Sequence, residues 1–211
     1  MPELYIITGA NGAGKSTFGS SYLPTHLQND ITVFDGDKLS LIKRKELYPA
    51  FTPSMKEARR IADNWLHEFF EEQVAESIAT QKDFIYEGHL PENGNWVTPE
   101  RFKKAGYVIN FIFLGLSDTN LSSLRVFERA KLGGHNVPPY EIERNFYGNL
   151  YQINKRFASI DILKIIDTSV SANPQIVAFF EKGKINFALH EEKLPDWFKR
   201  YMPNLYKIII D

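Results

Sequence analysis

A glycine-rich segment close to the amino terminus constrains this chain more than any other feature. The segment fits the pattern G-x-x-x-x-G-K-[S/T] without a gap, and its residues are Gly9, Ala10, Asn11, Gly12, Ala13, Gly14, Lys15 and Ser16. An apolar run at residues 4–7 precedes it and a helical pattern follows it. Glycines let successive backbone N–H groups turn towards one point, and the following helix adds the positive end of its dipole. The sequence therefore predicts a strand, a phosphate-binding loop and a helix in direct succession.

The end of this loop carries the groups that a nucleotide triphosphate requires. Lys15 is predicted to reach the β- and γ-phosphates, and the hydroxyl of Ser16 is predicted to ligate Mg²⁺. Thr17 completes the predicted cofactor-binding set, which is residues 9–17. The alternative is a chance glycine-rich turn, and the flanking strand and helix argue against it. We expect ATP and Mg²⁺ as cofactors, because no N-K-x-D guanine signature is present.

Composition excludes several other classes of protein. The 25 Lys and Arg residues balance 26 Asp and Glu residues, whereas a nucleic-acid binder usually has a basic excess. The chain has no cysteine, which excludes disulfides, thiolate zinc sites and cysteine nucleophiles. The predicted first strand starts almost at Met1 and no run of roughly 20 apolar residues occurs, so neither a secretory signal nor a membrane span is expected. We expect a cytoplasmic protein without nucleic-acid or membrane partners.

Short apolar runs alternate with longer amphipathic ones, which is typical of an α/β protein with a parallel sheet flanked by helices. Five strands are predicted, at residues 4–7, 31–34, 84–86, 107–114 and 162–166. Helices are predicted at residues 16–22, 57–78, 120–131 and 139–157, from a Thr98 cap to Gly106, and after Asn173 and Pro174. We expect one domain at residues 1–181 and a C-terminal extension at residues 182–211 packed on it. Strands are expected in this extension at residues 184–189 and 207–210, with residues 194–197 as an anchor.

Carboxylates follow two of the predicted strands. Asp35 and Asp37 follow the second strand and Glu87 ends the third, so all three are expected at the edge of the sheet where ligands collect. Asp37 is a candidate catalytic base or a magnesium ligand through water. Asp35, Glu87 and His89 are candidate acceptor-binding residues. The alternatives are helix capping for Asp35 and Asp37, a structural ion pair for Glu87, and a solvated loop position for His89.

Three arginines follow the fourth strand. Arg125 and Arg129 lie one helical turn apart on one face, and Arg144 lies on the next helix. Gly133 and Gly134 separate the two helices and predict a hinge for a lid, with His135 beside it as a further candidate for substrate binding. Arginines above the phosphates would stabilise the charge of the transferred group. The alternative is a solvated helix face with salt bridges, such as one between Arg144 and Glu141.

Taken in chain order, these motifs resemble the zeta-toxin-like family of P-loop kinases over roughly residues 3–170. The matching segments are residues 9–16, 35–39, 87–90, 125–129 and 133–138, together with Arg144. The resemblance implies a P-loop NTPase of the kinase type with a five-stranded parallel sheet. It also implies phosphorylation of a nucleotide sugar, the best-known acceptor in the family being UDP-N-acetylglucosamine.

The resemblance also implies roles for single residues. Asp37 matches the catalytic base of the family, Lys15 its phosphate-binding lysine and Glu87 its acceptor-binding glutamate. Arg129 and Arg144 match its phosphate-stabilising arginines, with Arg125 competing for the first role. Where the family commonly has threonine, this chain has His89, which predicts a reshaped acceptor pocket.

Three other functions remain open on the sequence alone. The first is a kinase for a different hydroxyl compound, and the second is a nucleotide-dependent ATPase or switch without an acceptor. The third is a catalytically decayed partner in a toxin–antitoxin pair. An antitoxin protein is a further expected partner. Retention of Lys15, Ser16 and Asp37 argues against decay, because a dead site has no need of them together.

Overall fold

The computed structural model describes residues 1–30, 32–132, 134, 137–171 and 173–211. Its strands are β1 (Glu3–Gly9), β2 (Phe34–Asp35), β3 (Phe84–Glu87), β4 (Val108–Gly115), β5 (Ile162–Asp167), β6 (Gln175–Glu181) and β7 (Lys184–Ala188). Its α-helices are α1 (Lys15–Phe18), α2 (Thr25–Asp30), α3 (Gly36–Leu47), α4 (Met55–Thr80), α5 (Val97–Lys104), α6 (Thr119–Lys131), α7 (Pro139–Arg156), α8 (Asp196–Tyr201) and α9 (Pro203–Ile210). Short 3₁₀ helices occupy Gly19–Tyr22, Asn93–Trp96, Phe157–Ser159 and Glu191–Lys193.

One mixed sheet organises the molecule, with the strand order β2-β3-β1-β4-β5-β6-β7. The strands from β2 to β5 in this order are parallel, and β6 and β7 add to β5 as antiparallel strands. The parallel strands end at the same edge of the sheet, so the loop after β1 lies between the ends of β3 and β4. This edge is where an open α/β sheet binds its ligands.

The core lies along the two central strands and the helices packed on them. Leu4, Ile6 and Ile7 of β1 and Phe111 of β4 are completely buried. Such near-continuous apolar runs are typical of parallel strands that are covered on both faces. Burying each of these side chains contributes about 1.5–3 kcal/mol to stability, which makes β1 a rigid base for the loop that follows it.

The predicted α/β class is confirmed, but the predicted number of strands is wrong. The described residues form a sheet of seven strands, not five. Asn173 and Pro174 do not start a helix; they precede β6, whose apolar and aromatic residues pair with the free edge of β5. The strand predicted at residues 184–189 is observed as β7, which ends at Ala188, whereas residues 207–210 are helical in α9. Pro203 begins that helix at a position suited to proline, and burial of Leu205 against the core overrides the strand preference of the isoleucines.

Boundaries of the remaining elements differ from the predictions in local ways. The second strand, predicted at residues 31–34, is observed as β2, and Ile31 lies outside the described residues. The predicted helix at residues 16–22 is divided between α1 and a 3₁₀ helix. Thr98 does not cap α5, because the preceding 3₁₀ helix leads directly into the α-helix at Val97. Gly106 has the left-handed φ of 88° expected after a helix end.

The segment after β7 packs on the sheet through a buried tryptophan. Trp197 is 3% exposed, and its ring lies 6.2 Å from that of Phe113 in β4. Trp197 belongs to residues 194–197, which the sequence predicts as the anchor of this segment. None of the helices in the described part of the chain combines the length and the apolar character that crossing a membrane requires.

Candidate active site

The loop after β1 has the backbone geometry that phosphate binding requires. Gly12 and Gly14 have φ values of 72° and 82°, which are left-handed conformations that favour glycine. The loop closes on itself with a 3.2 Å hydrogen bond from the Ala13 N–H to the Ala10 carbonyl. A Cβ added at Gly9 would lie 2.1 Å from the Leu114 carbonyl oxygen. Only glycine therefore lets the loop leave β1 so close to β4.

Lys15 holds its ammonium group over this loop. Its Nζ lies 3.2 Å from the Ala10 carbonyl oxygen and 3.3 Å from Nε2 of His89. Burial lowers the pKa of Lys15 to about 8, an effect that the carboxylates of Asp37 and Glu87 oppose and that the charge of Arg129 reinforces. Without nucleotide, the site thus holds a poorly solvated positive charge, which phosphate oxygens would compensate.

Two carboxylates and one hydroxyl meet beside the loop. Ser16 Oγ lies 2.8 Å from Glu87 Oε2 and 3.3 Å from Asp35 Oδ2. The parallel pairing of β2 with β3 aligns Asp35 with Glu87, so the sheet itself brings these side chains together. Burial raises the pKa of Glu87, and Asp35 and Asp37 contribute in the same direction.

Asp35 makes two contacts, and one of them is the helix cap predicted as the alternative to acceptor binding. Its Oδ1 caps α3 by accepting a 3.0 Å hydrogen bond from the Lys38 N–H, and its Oδ2 faces Ser16. Asp37 lies exposed in the first turn of α3 and lines the same cavity as Lys15. Capping is thus observed for Asp35, while Asp37 faces the phosphate loop.

These oxygen atoms fit a hard divalent cation that arrives together with phosphates. No group of three or more His, Asp and Glu residues within the described ranges is arranged to hold a metal on its own. The donor set is instead the hydroxyl of Ser16 with the carboxylates of Asp35 and Glu87 beside it. Mg²⁺ prefers oxygen ligands and commonly takes only one or two from the protein, the rest being phosphates and water.

His89 belongs to a network of amide side chains that sequence reasoning missed. Its Nε2 also lies 3.3 Å from Asn11 Nδ2, and its Nδ1 lies 3.4 Å from Asn149 Nδ2. Asn145 donates to Asn11 Oδ1 at 2.9 Å, and Asn149 accepts from the Leu90 N–H at 2.7 Å. Burial, followed by the charge of Lys15, lowers the pKa of His89 well below its usual value. In the sequence, the one feature these residues share is the four-residue spacing of Asn145 and Asn149 on the buried face of α7.

The three predicted arginines lie in three different environments. Arg125 donates to the carbonyl oxygens of Gly12 at 3.3 Å and Ser169 at 2.9 Å, so its guanidinium group braces the loop. Arg129 is exposed and lines the cavity that contains Lys15. Arg144 lies within 4.0 Å of Glu141, as in the salt-bridge alternative, and 3.9 Å from Glu92. Of the predicted lid, Gly133 and His135 lie outside the described residues.

Two cavities meet at Glu87. The first has a volume of about 300 Å³ and is lined by Asn11, Gly12, Gly14, Lys15, Ser16, Thr17, Asp37, Glu87, Arg125 and Arg129. The second has a volume of about 610 Å³ and is lined by Phe34, Asp63, Leu66, His67, Phe70, Glu71, Tyr86, Glu87, Gly88, His89, Leu90, Gly94, Asn95, Val97 and Thr98. We call them the phosphate cavity and the open cleft. Arg144 lines neither; it lies in a third cavity of about 160 Å³ that also contains His89.

Comparison with known protein families identifies the family of this chain. A family model described as Zeta toxin matches residues 1–181. The chain belongs to the zeta toxin family. The resemblance seen in the motifs is thereby confirmed, and the match extends across β1–β6. No curated protein matches the chain.

Solved structures share the fold of this zeta toxin family member at low sequence identity. The complex of AvrRxo1-ORF1 with AvrRxo1-ORF2, solved with ATP, has a TM-score of 0.70 and 14% identity; the match covers 96% of this chain and 64% of that chain. The PezAT chromosomal toxin–antitoxin system of Streptococcus pneumoniae has a TM-score of 0.56 and 18% identity, with 85% and 72% coverage. A protein of Chloroflexus aurantiacus classed as a candidate kinase has a TM-score of 0.50 and 16% identity, with 82% and 88% coverage. These likenesses show a P-loop kinase-like fold, and this chain spans less than two thirds of the length of the chain that it matches in the AvrRxo1 complex.

Proposed function

We propose that this zeta toxin family protein is an ATP-dependent kinase that phosphorylates a hydroxyl group of a small acceptor. The observation that carries the proposal is the position of Glu87, which lines both the phosphate cavity and the open cleft. A phosphate donor bound in one would therefore meet an acceptor bound in the other beside the carboxylates of Glu87 and Asp37. Phosphoryl transfer depends mainly on such positioning and on charge stabilisation.

Each residue of the phosphate cavity has a role in this proposal. The backbone N–H groups of residues 9–17 and the ammonium of Lys15 bind the β- and γ-phosphates. Ser16, Asp35 and Glu87 are the residues that would hold Mg²⁺, directly or through water. When bound with ATP, Mg²⁺ neutralises negative charge on the phosphate oxygens.

Asp37 is proposed as the general base. It accepts the proton of the acceptor hydroxyl while the bond from that oxygen to the γ-phosphorus forms and the bond from phosphorus to the oxygen of ADP breaks. Arg129, which lines the same cavity, stabilises the charge on the transferred group. Arg144 would join it only after moving away from Glu92 and Glu141, as closure of a lid would require.

A nucleotide sugar is the first acceptor to test, and UDP-N-acetylglucosamine is the first of that class. A cleft of about 610 Å³ is within the usual size range of small-molecule sites. The rings of Phe34, Phe70 and Tyr86 offer apolar contact, while Asp63 and His67 offer hydrogen bonds. The ring of His89 also lines the cleft, so another hydroxyl compound is the main alternative within this class.

An ATPase or switch without an acceptor is the alternative from another class. It predicts ADP and free phosphate in the absence of any acceptor. A neutralising protein partner is also proposed, because the PezAT neighbour is described as a toxin–antitoxin system. Co-expression of this chain with a protein encoded next to it would test for that partner separately.

The experiment is a transfer assay with ATP, Mg²⁺ and a panel of nucleotide sugars and other hydroxyl compounds, read by mass spectrometry. We expect one acceptor to gain one phosphate with the wild type and none to do so with Asp37→Asn, although ATP binding persists. Asp196→Asn is the matched control, because Asp196 is likewise exposed in the first turn of a helix but lies outside both cavities. Full activity of Asp37→Asn would refute its role as the base. ADP and free phosphate alone across the panel would favour the ATPase.

A further inference from the structure

The segment beyond the family match contacts the sheet directly behind the nucleotide-binding edge. Trp197, sixteen residues after the match ends, donates from Nε1 to Asp167 Oδ1 at 3.2 Å. Asp167 is the last residue of β5. The same indole packs on Gly115, the last residue of β4, where an added Cβ would lie 2.3 Å from the ring. The tryptophan therefore contacts the ends of β4 and β5, the two strands that follow β1 on this side of the sheet.

A continuous set of hydrogen bonds leads from Asp167 to the phosphate loop. Asp167 Oδ1 also accepts from the Ser169 N–H at 3.0 Å and from its hydroxyl at 2.5 Å. The carbonyl oxygen of Ser169 accepts from Arg125 at 2.9 Å, and the other terminal nitrogen of Arg125 donates to the Gly12 carbonyl. Asp167 thus fixes a turn that positions Arg125, and Arg125 braces Gly12 in the centre of the loop.

A second, parallel connection joins the same turn to the loop. Thr168 is completely buried, and its hydroxyl lies 2.9 Å from the Ala13 carbonyl oxygen and 3.0 Å from that of Gly115. Trp197 packs against Gly115 from the other side. The turn is therefore linked to the phosphate loop directly by Thr168 and indirectly through Arg125, and it is linked to the tryptophan directly by Asp167 and indirectly through Gly115.

We propose that Trp197 is a positioning residue for the nucleotide, so that the C-terminal segment completes the ATP site without contacting ATP. The inference rests on the proposed function, because it assumes that the phosphate loop binds ATP. Removing the indole N–H leaves Asp167 with one donor fewer and loosens the turn that holds Arg125. Coupling through such a network commonly amounts to severalfold in affinity.

The test is the affinity of the full chain for ATP, measured by calorimetry with the variant Trp197→Phe. We expect the ATP Kd to rise by about threefold to tenfold, with kcat at saturating ATP and the acceptor KM unchanged. Trp96→Phe is the matched control. Trp96 is also 3% exposed and donates a single hydrogen bond, at 3.3 Å to the carbonyl of Leu90, a residue that lines the open cleft and not the phosphate cavity. An ATP Kd that is unchanged in Trp197→Phe, or raised equally in Trp96→Phe, would overturn the inference.

A double variant separates positioning from a general loss of stability. If Trp197 acts through Arg125, the effects of Trp197→Phe and Arg125→Lys on ATP affinity will be less than additive. Additive effects would overturn the proposed route. If Trp197→Phe does not fold, Asp167→Asn replaces it, because that change keeps the shape of the side chain and weakens the bonds it accepts. An unchanged Kd in that variant would likewise overturn the inference.

The same measurement separates this inference from the proposed function. A wild type that binds no ATP overturns both. If the wild type binds ATP but phosphorylates no acceptor, the kinase proposal fails. The Kd values of the variants then still decide whether Trp197 positions the nucleotide. Binding and transfer with no effect of Trp197→Phe removes only the inference.

Discussion

Replacement of Lys15 by methionine should stabilise the nucleotide-free protein while it destroys the nucleotide site. Burial lowers the pKa of Lys15 from 10.5 to about 8, so the folded protein disfavours the charged form. At about 1.4 kcal/mol per pKa unit, this difference corresponds to a destabilisation of roughly 3 kcal/mol at pH 7. Methionine is of similar length and flexibility and carries no charge. We therefore expect Lys15→Met to gain up to roughly 3 kcal/mol at pH 7, or roughly 6–12 °C in Tm for a domain of this size.

The gain should depend on pH in a defined direction. Below pH 8 Lys15 is charged in both the folded and the unfolded chain, and the full destabilisation is present. Between pH 8 and 10.5 the folded protein loses this proton before the unfolded chain does, so the stability of the wild type rises relative to that of the variant. At pH 9.5 the remaining advantage of Lys15→Met is roughly 1.4 kcal/mol.

The assay is chemical denaturation of the nucleotide-free proteins at pH 7 and pH 9.5. Lys45→Met is the matched control, because Lys45 is exposed in α3 and its replacement should change stability by less than about 0.5 kcal/mol. The wild type should also gain about 2.7 kcal/mol in ATP at 100 times its Kd, and Lys15→Met should lose this gain. A variant that is no more stable than the wild type at pH 7, or whose advantage is the same at both pH values, would refute the argument from burial of the charge.

Two further variants test the boundary between the cavities. Glu87→Gln should raise the Mg²⁺ concentration needed for half-maximal transfer. Because burial raises the pKa of Glu87, the Mg²⁺ requirement of the wild type should also rise on acidification, and at a higher pH than with an ordinary glutamate. An unchanged Mg²⁺ titration in the variant would place Glu87 outside the metal shell. His89→Thr should alter the order of preference among acceptors more than the KM for ATP, because the ring lines the open cleft. An equal loss on every acceptor, accompanied by a higher KM for ATP, would instead show that His89 acts only through Lys15.

The phosphate loop was predictable because its chemistry is local. Within residues 9–16, the turn, the lysine and the hydroxyl follow from residue types at fixed spacing, and no distant contact is needed to specify them. The strands β1, β3, β4 and β5 were predictable for a similar reason, since buried parallel strands have continuous apolar runs. β6 was missed because Asn173 and Pro174 are equally typical of a helix start and of a turn before a strand. Only the free edge of β5 decides between them.

The asparagine network was beyond the reach of sequence reasoning for a different reason. Asn145 lies 134 residues from Asn11, to which it donates, and Asn149 lies 140 residues from Gly9, whose carbonyl accepts from it. An asparagine pair in a helix has no chemistry that points to a phosphate site by itself. The two asparagines reach the phosphate loop only because α7 packs against β1.

The arginine pair shows how a correct local pattern leaves the function undecided. Arg125 and Arg129 do share one face of α6, as their four-residue spacing predicts, and that spacing treats them as equivalent. The turn after β5 distinguishes them, because the guanidinium group of Arg125 donates hydrogen bonds to the carbonyl oxygen of Ser169 and the hydroxyl of Ser171. Both arginines line the phosphate cavity, but Arg129, one turn further along, is the exposed one of the two. Since Trp197 donates a hydrogen bond to Asp167 in the same turn, the surroundings of Arg125 are linked to a segment beyond the family match.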